Sequence, residues 1–304
     1  MEIVAVFDSS SPLSKSVAIT LLKNNFVVRC LTTNRAECQI LEHHGAELYS
    51  QDQIDDCLKG VQAAYVSTTS NFDSITSVQD EIDQGRTIAE ACQRARVEHL
   101  IYSTQLSVAQ VTGMTVRHMD AKSRVEDLLF KTSIPLTKVI IPPLYEYILE
   151  PSMIPTRLSD NQFGLEIPMS NVPLDLICLQ DVGYVILEMI IQRKALVNKT
   201  LSLSATKLTV RDLASILTHN LTDYKFKDSQ VTVEQYQERR RFKGVIDWSY
   251  QFDFYVRVDQ KASIELTKHF YPHIKSFGQW VEENKAAIYN TLNKPMTPAM
   301  DPFH

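Results

Sequence analysis

The run Ile3-Val-Ala-Val-Phe-Asp-Ser-Ser-Ser-Pro-Leu-Ser-Lys-Ser-Val-Ala-Ile-Thr-Leu-Leu22 decides the fold. Its first five residues are apolar or β-branched without a polar break, the pattern of a strand buried on both faces. From Leu13 the period changes, with Val17, Ala18, Leu21 and Leu22 gathering on one side of a helix predicted over 13–24. Ser11 before Pro12 supplies an N-cap followed by proline at the first helical position. A buried strand running through a short loop into an amphipathic helix is the opening of a βαβ unit.

The same rhythm continues outward. Strands are predicted at 27–31, 46–49, 63–67, 99–103 and 136–141. Helices are predicted at 36–44, stopped by Gly45 as a C′ residue, then just before Gly60, and at 73–96 and 116–131. This alternation predicts an α/β fold with a doubly wound parallel Rossmann-type sheet and a ligand crevice at the carboxyl ends of its strands. After Pro142-Pro143 prolines recur at 151, 155, 168 and 173, and helices are expected at 180–192, 210–217, 233–241 and 276–288. The expected organisation is a dinucleotide-binding domain over 1–150, a smaller α+β substrate or partner region over 151–290, and a tail over 291–304. Three prolines between Lys294 and His304 predict that the tail is extended or disordered.

The phosphate-binding loop is where this chain departs from the usual chemistry. Only 8 of its 304 residues are glycine, and none precedes Gly45. Asp8, Ser11 and Ser14 stand at the three positions of a G-x-x-G-x-x-G spacing, where glycines would serve the turn, the close approach and the helix packing. Serine hydroxyls can donate to a phosphate and the helix dipole remains. Against this, Asp8 brings a negative charge and Pro12 lacks an N–H. The alternative is an ordinary capped helix start. After the second strand, Thr32-Thr-Asn-Arg-Ala-Glu37 offers Arg35 to a 2′-phosphate, with Glu37 beside it, or else forms a solvated helix start.

His118 and Lys122 lie four apart and so share a helix face. A lysine there can hydrogen-bond a nicotinamide ribose and lower the pKa of a neighbouring proton donor, a tyrosine or His118 itself. With Asp120 and Glu126 close by, an exposed charged helix is the competing reading. The run Glu238-Arg-Arg-Arg-Phe-Lys243 reads either as a small anionic-ligand or nuclear-localisation patch or as a solvated helix end. A net charge of -5 argues against direct nucleic-acid binding. The five cysteines are widely spaced with no C-x-x-C pair, which predicts reduced thiols and no metal site. There is no G-x-S-x-G elbow for hydrolysis. The N-terminus lacks the basic start of a signal peptide, and the longest apolar stretch, 182–191, falls short of the roughly 20 residues of a membrane span. A soluble intracellular protein without membrane contact is expected.

Taken together, the chain to about residue 290 resembles the NmrA-like family, atypical relatives of the short-chain dehydrogenases. The residues that carry the resemblance are His43-His-Gly-Ala-Glu47, Asp52-Gln53, Gln84-Gly85, Ile101-Tyr-Ser103, His118-x-x-x-Lys122 and Ile134-Pro-Leu-Thr137. Ile167-Pro-Met-Ser-Asn-Val-Pro173, Asp181-Val-Gly183 and Gln279-Trp-Val-Glu-Glu283 extend it through the C-terminal half. The resemblance implies a regulatory, non-catalytic protein that responds to NADP(H), or to NAD(H), as a redox sensor. Such a protein acts through a regulatory protein partner, in the cytoplasm and also the nucleus, and a homodimer is one assembly the family allows. It assigns cofactor contacts to Asp8, Ser9, Ser10, Ser11, Leu13, Ser14, Thr33, Asn34, Arg35, Asp52, Gln53, Lys122, Tyr145 and Glu146. Histidine at 118 stands where family reductases carry the catalytic tyrosine, leaving Lys122 and His118 as the catalytic candidates. Thr33 stands where the family carries an arginine, and Glu37 sits among its usual lysines. Charge-assisted contacts contribute about 1.5–3 kcal/mol each, so these departures predict dinucleotide binding that is weak or lost. The alternative is an NAD(P)H-dependent reductase with Lys122 and His118 or Tyr102 near the hydride path.

Overall fold

A computed structural model describes residues 2–294. The predicted strands form, as β1 (Ile3–Val6), β2 (Val27–Leu31), β3 (Glu47–Tyr49), β4 (Ala63–Val66), β5 (His99–Thr104) and β6 (Leu136–Ile140). Between them run α1 (Pro12–Lys23), α2 (Gln39–His43), α3 (Ile54–Cys57), α4 (Ser77–Ala95), α5 (Val108–Thr112) and α6 (Arg117–Lys131). The C-terminal half adds β7 (Thr156–Ser159), β8 (Gln162–Leu165), β9 (Leu174–Leu176), α7 (Leu179–Ile191), β10 (Thr200–Ser202), β11 (Thr206–Leu208), α8 (Val210–Asn220) and β12 (Lys225–Asp228). It ends with α9 (Val233–Arg239), α10 (Val245–Arg257), α11 (Ile264–Phe270), α12 (Phe277–Glu283) and α13 (Lys285–Leu292).

The central sheet has seven strands in the order β10-β6-β5-β4-β1-β2-β3, every pair parallel. This is the doubly wound α/β arrangement expected. Alternation along β1 sends Val4 and Val6 to one core and Ala5 and Phe7 to the other. Helices α1 and α7 pack together on one side, α4 and α6 on the other. Two glycines permit these approaches. A Cβ on Gly183 of α7 would stand 2.5 Å from Thr20 Oγ1 and 2.8 Å from the Ser16 carbonyl oxygen of α1. A Cβ on Gly85 of α4 would stand 2.5 Å from Val125 Cγ1 of α6.

Several elements differ from expectation. The seventh strand, β10, arrives from beyond residue 150 and pairs with β6, Leu201 opposite Val139. It follows α7 instead of a further βα repeat of the first half, so the alternation read over 1–142 does not reach it. The helix expected over 36–44 opens as a 3₁₀ turn, Ala36–Cys38, before α2, and Gly45 takes φ 97° after it. The helix expected from Asp73 begins only at Ser77, because Ser74 and Thr76 turn their hydroxyls onto Asp80 and hold residues 71–76 as a loop. The helix expected over 276–288 is two, broken at Asn284, whose side chain bonds the Trp280 carbonyl. Thr291 and Leu292 belong to α13 rather than to a disordered tail, and residues 295–304 lie outside the described residues. All five cysteines are buried free thiols. No helix among the described residues is long and apolar enough to cross a membrane.

The α4–α6 approach makes a direct test. Gly85→Ala should destabilise the chain by about 1–3 kcal/mol, because Val125 is fully buried and has nowhere to move. In urea unfolding, Gly85→Ala combined with Val125→Ala should cost less than the sum of the two single changes. Additive costs would show that the helices do not meet at this pair.

Candidate functional site

In this strand order the chain leaves β1 toward opposite sides, so the crevice of the fold opens over the carboxyl ends of β1 and β4. Residues 8–14 form one lip and Thr68-Thr69-Ser70 the other. Asp8 adopts φ 50°, the left-handed conformation that the first glycine of the loop would supply. Aspartate is among the few side chains that tolerate this region. Its Oδ1 accepts a hydrogen bond from Thr69 Oγ1 at 2.9 Å, which ties the two lips of the crevice together. Burial pushes the Asp8 carboxyl above its ordinary value.

The loop serines are turned to internal work. Ser9 is fully buried and donates its hydroxyl to the Val6 carbonyl at 2.7 Å. Ser11 caps α1, accepting from the Ser14 N–H at 3.2 Å. Ser14, at the third glycine position, buries its hydroxyl without a hydrogen-bond partner. Ser10 is half-buried at the turn, and Leu13 packs against the core. A pyrophosphate here would meet a carboxylate, a proline without an N–H, and a Ser14 N–H already capped.

The ends of β2 and β3 are similarly engaged. Thr33 is exposed, Asn34 Nδ2 donates to Glu37 Oε1 at 2.7 Å, and Arg35 pairs with Glu42 at 2.6 Å. Asp52 and Gln53 close a turn after β3, accepting from Ser50 Oγ at 2.5 and 3.0 Å.

Helix α6 brings His118 and Lys122 to one face, as their spacing predicts. The Lys122 ammonium donates to Glu81 Oε1 at 2.6 Å, to the Thr68 carbonyl at 2.7 Å and to Ser70 Oγ at 3.4 Å. Glu81 is buried on α4, and its carboxylate also accepts from Thr68 Oγ1 at 2.6 Å and Ser70 Oγ at 2.7 Å. A lysine awaiting a ribose would present a free ammonium; this one is surrounded. His118 Nε2 lies 2.7 Å from Gln251 Oε1 of α10, and its Nδ1 is buried without a partner. Burial pushes the imidazole down to about 4. Phe72 packs edge-on against His118, ring centroids 5.4 Å apart, and sits over Gly244. There φ is 90° and a Cβ would stand 2.7 Å from the phenyl ring. Arg117 grips both carboxylate oxygens of Asp247, so α10 is clamped over the start of α6.

Tyr102 is fully buried with its hydroxyl on the Lys122 carbonyl at 3.1 Å, inside the β5–α6 interface rather than on a hydride path. Asp120 and Glu126 do not make an exposed charged face. Asp120 is buried and accepts from Ser107 Oγ and the N–H groups of Ala109 and Val116, while Glu126 bonds Thr104 and Lys138. Tyr145 donates to Thr206 Oγ1 and also lies 3.1 Å from the Lys275 carbonyl. Glu146 accepts from Trp280 Nε1 at 3.0 Å and the Leu179 N–H at 3.1 Å. Both thus bond to the C-terminal half of the chain. In the run from Arg239 to Lys243, Arg239 and buried Arg240 face Glu166, Lys243 pairs with Asp73, and Arg241 is exposed.

Sequence reading missed Thr68, Thr69, Ser70, Phe72, Glu81 and Gln251. One signal was available for Glu81. It lies in register with Ser77, Gly85 and Ile88 on the buried stripe of α4, where an unpaired carboxylate is too costly to keep.

A parallel Rossmann-type sheet with its crevice at the switch point between β1 and β4 defines the class. The chain belongs to the NmrA-like family, whose sequence model matches residues 1–281. Among curated relatives, an NmrA-like family domain-containing oxidoreductase, himF, of Aspergillus japonicus is 31% identical over 165 residues, covering 50% of each chain. The photosystem II assembly factor Ycf39 of Trieres chinensis is 27% identical over 156 residues, covering 49% of this chain and 48% of its own. The matched stretch thus spans about half the length of these relatives. Among solved structures, NmrA, a negative transcriptional regulator, superposes with TM-score 0.82 at 15% identity, covering 97% of this chain and 98% of that one. The NADP(H)-complexed triphenylmethane reductase of Citrobacter sp. gives 0.75 at 15% identity, covering 93% and 99%. At these identities the likeness is one of fold.

The His118 environment predicts a sign for pH dependence. A histidine held near 4 in the folded chain and near its ordinary 6.5 when unfolded binds more protons unfolded between those values. Its contribution is therefore intact above about pH 6.5 and is lost as pH falls toward 4. In chemical denaturation, the stability of the unmodified chain relative to His118→Gln should fall over this window; a difference independent of pH would refute the buried neutral imidazole.

Proposed function

We propose that this chain is a non-catalytic regulatory protein of the NmrA-like family, acting through a protein partner and retaining at most a weak response to NADP(H) or NAD(H). The observation that carries the reading is the enclosure of Lys122 by Glu81, Thr68 and Ser70. Proton transfer needs a donor whose pKa lies near the working pH and a lysine free to assist it. His118, pushed down to about 4, is neutral at pH 7, and Lys122 is bound to a buried carboxylate. The bridge from Asp8 to Thr69 adds a second obstacle, at the mouth of the crevice. The description of NmrA as a negative transcriptional regulator agrees with a regulatory role, and the net charge of -5 favours a protein partner over nucleic acid. A cytoplasmic and nuclear distribution and a homodimer belong to the same proposal.

Calorimetry with NADPH, NADP, NADH and NAD should give dissociation constants near millimolar or weaker, and a panel of quinones and aldehydes should show no turnover above background. Micromolar binding with turnover lost in Lys122→Ala would replace this reading with the reductase one. Asp8→Gly removes the carboxylate and suits φ 50° better than aspartate does. It should tighten NADPH binding at least tenfold without loss of stability. Unchanged affinity would show that the lip bridge is not what limits the cofactor.

A further inference from the structure

We propose that the chain holds a second small-molecule site, for a compact uncharged molecule with an apolar ring, in the cavity where the carboxyl ends of β6 and β10 meet the segment that follows α10. The cavity has a volume of about 270 Å³. The gap beside His118, between Ser70, Phe72 and Arg117, is by contrast too narrow to hold a water molecule. The cavity lies toward the β10 edge, with β5 and β4 between it and β1, and it shares no lining residue with the Asp8–Lys122 cluster. The proposal therefore stands apart from the reading of the crevice.

The sequence sets the chemistry of the walls. Pro142 and Pro143 end β6 and Pro173 leads into β9, so three prolines border the cavity without an N–H to offer. Ile140, Leu174 and Leu203 line it as buried side chains. Four charged residues also border it, Asp175, Lys207, Arg257 and Asp259, two of each sign. Each is already engaged within the protein. Lys207 and Ser204 meet the Asp175 carboxylate, Arg257 bonds Asp253 at 2.9 Å, and Asp259 faces Lys261 at 3.3 Å. The unpartnered oxygens of Asp175 and Gln260 are sealed in the protein and present no surface to a ligand. An amine would have to take Asp175 from Lys207, and a carboxylate would have to take Lys207 from Asp175. An uncharged molecule disturbs neither pair. Lys207, Arg257 and Asp259 are exposed and make a solvated rim, while the buried side chains make an apolar interior. Such an interior lacks dispersion partners until a hydrocarbon surface fills it. A closed apolar cavity of about 150 Å³ is enough for benzene, so this one takes a fused bicyclic ring of the size of indole.

The test uses indole, benzyl alcohol, benzylamine and benzoate as probes on the full chain at pH 7.5, read by NMR and calorimetry. Indole should bind saturably, with intermolecular NOEs from its ring to the methyl groups of Leu174, Leu203 and Val258. Benzyl alcohol should bind at least fivefold more tightly than benzylamine or benzoate, its charged counterparts of similar size. Ala262→Phe and Val172→Phe each add a ring to the cavity wall and change no charge. Each should weaken indole at least tenfold, with circular dichroism checking that the variant is folded. Lys207→Gln should leave indole affinity within twofold. Absence of saturable binding, NOEs that place indole elsewhere, or a charged probe as tight as benzyl alcohol would each overturn the proposal. So would undiminished indole affinity in a folded wall variant.

Discussion

A lysine ammonium and a glutamate carboxylate 2.6 Å apart, with the glutamate almost wholly out of water, set the terms for the rest of the crevice. Taking such a pair from water costs several kcal/mol per ion, which only close geometry and further hydrogen bonds can offset. Thr68 and Ser70 provide those bonds from the end of β4, to both members of the pair. The loop after β4 is thereby fixed, and with it Thr69, whose hydroxyl reaches Asp8 across the switch point. One ion pair thus determines how three elements, β1, β4 and α6, present their ends to a ligand. Without Glu81, Lys122 would be an uncompensated buried cation, so the pair stands or falls together.

The C-terminal region completes the closure through packing and one strong charge contact. Asp247 holds Arg117 by both oxygens, Gln251 holds His118, and Gly244 leaves room for Phe72 to lie against the imidazole. Each contact joins α10 or its preceding turn to the start of α6 or to the loop after β4. The position that a proton donor would occupy is therefore walled by side chains from both halves of the chain. Burial is the main reason that His118 is neutral at physiological pH, and the Lys122 ammonium nearby works in the same direction, against the opposing effects of Gln251, Asp247 and Glu81.

What could be read from the sequence follows the range over which each signal acts. Buried strands and amphipathic helices show in ten to twenty consecutive residues, so β1 through β6 and the parallel, doubly wound class were legible. The shared face of His118 and Lys122 was legible for the same reason, since spacing along one helix fixes it. The partners of those two residues were not. Glu81 is 41 positions from Lys122, and Gln251 is 133 from His118. No local period links such residues, and only the strand order brings them together. β10 escaped because it lies beyond the βα alternation of the first half, and only the sheet order places it beside β6. The serines of the first loop illustrate a subtler limit. Their identity suggested donors for a phosphate, yet a hydroxyl beside a helix start has backbone carbonyls and N–H groups within easier reach. Ser9 and Ser11 took those local partners.

The scarcity of glycine has a located consequence. Asp8 keeps the left-handed backbone of the missing glycine, so the turn survives without the residue that makes it easy. The turn thus has the left-handed geometry a glycine would give, with a carboxylate where a glycine would leave bare backbone. Under the reading proposed above, a dinucleotide entering this crevice competes with the Asp8–Thr69 bond and with the hold of Glu81 on Lys122. Each charge-assisted contact exchanged is an interaction of about 1.5–3 kcal/mol, and every 1.4 kcal/mol not recovered weakens binding tenfold. Two such exchanges suffice to separate a micromolar ligand from a millimolar one. The crevice is shaped by the fold for a nucleotide, and its own side chains compete for the same contacts.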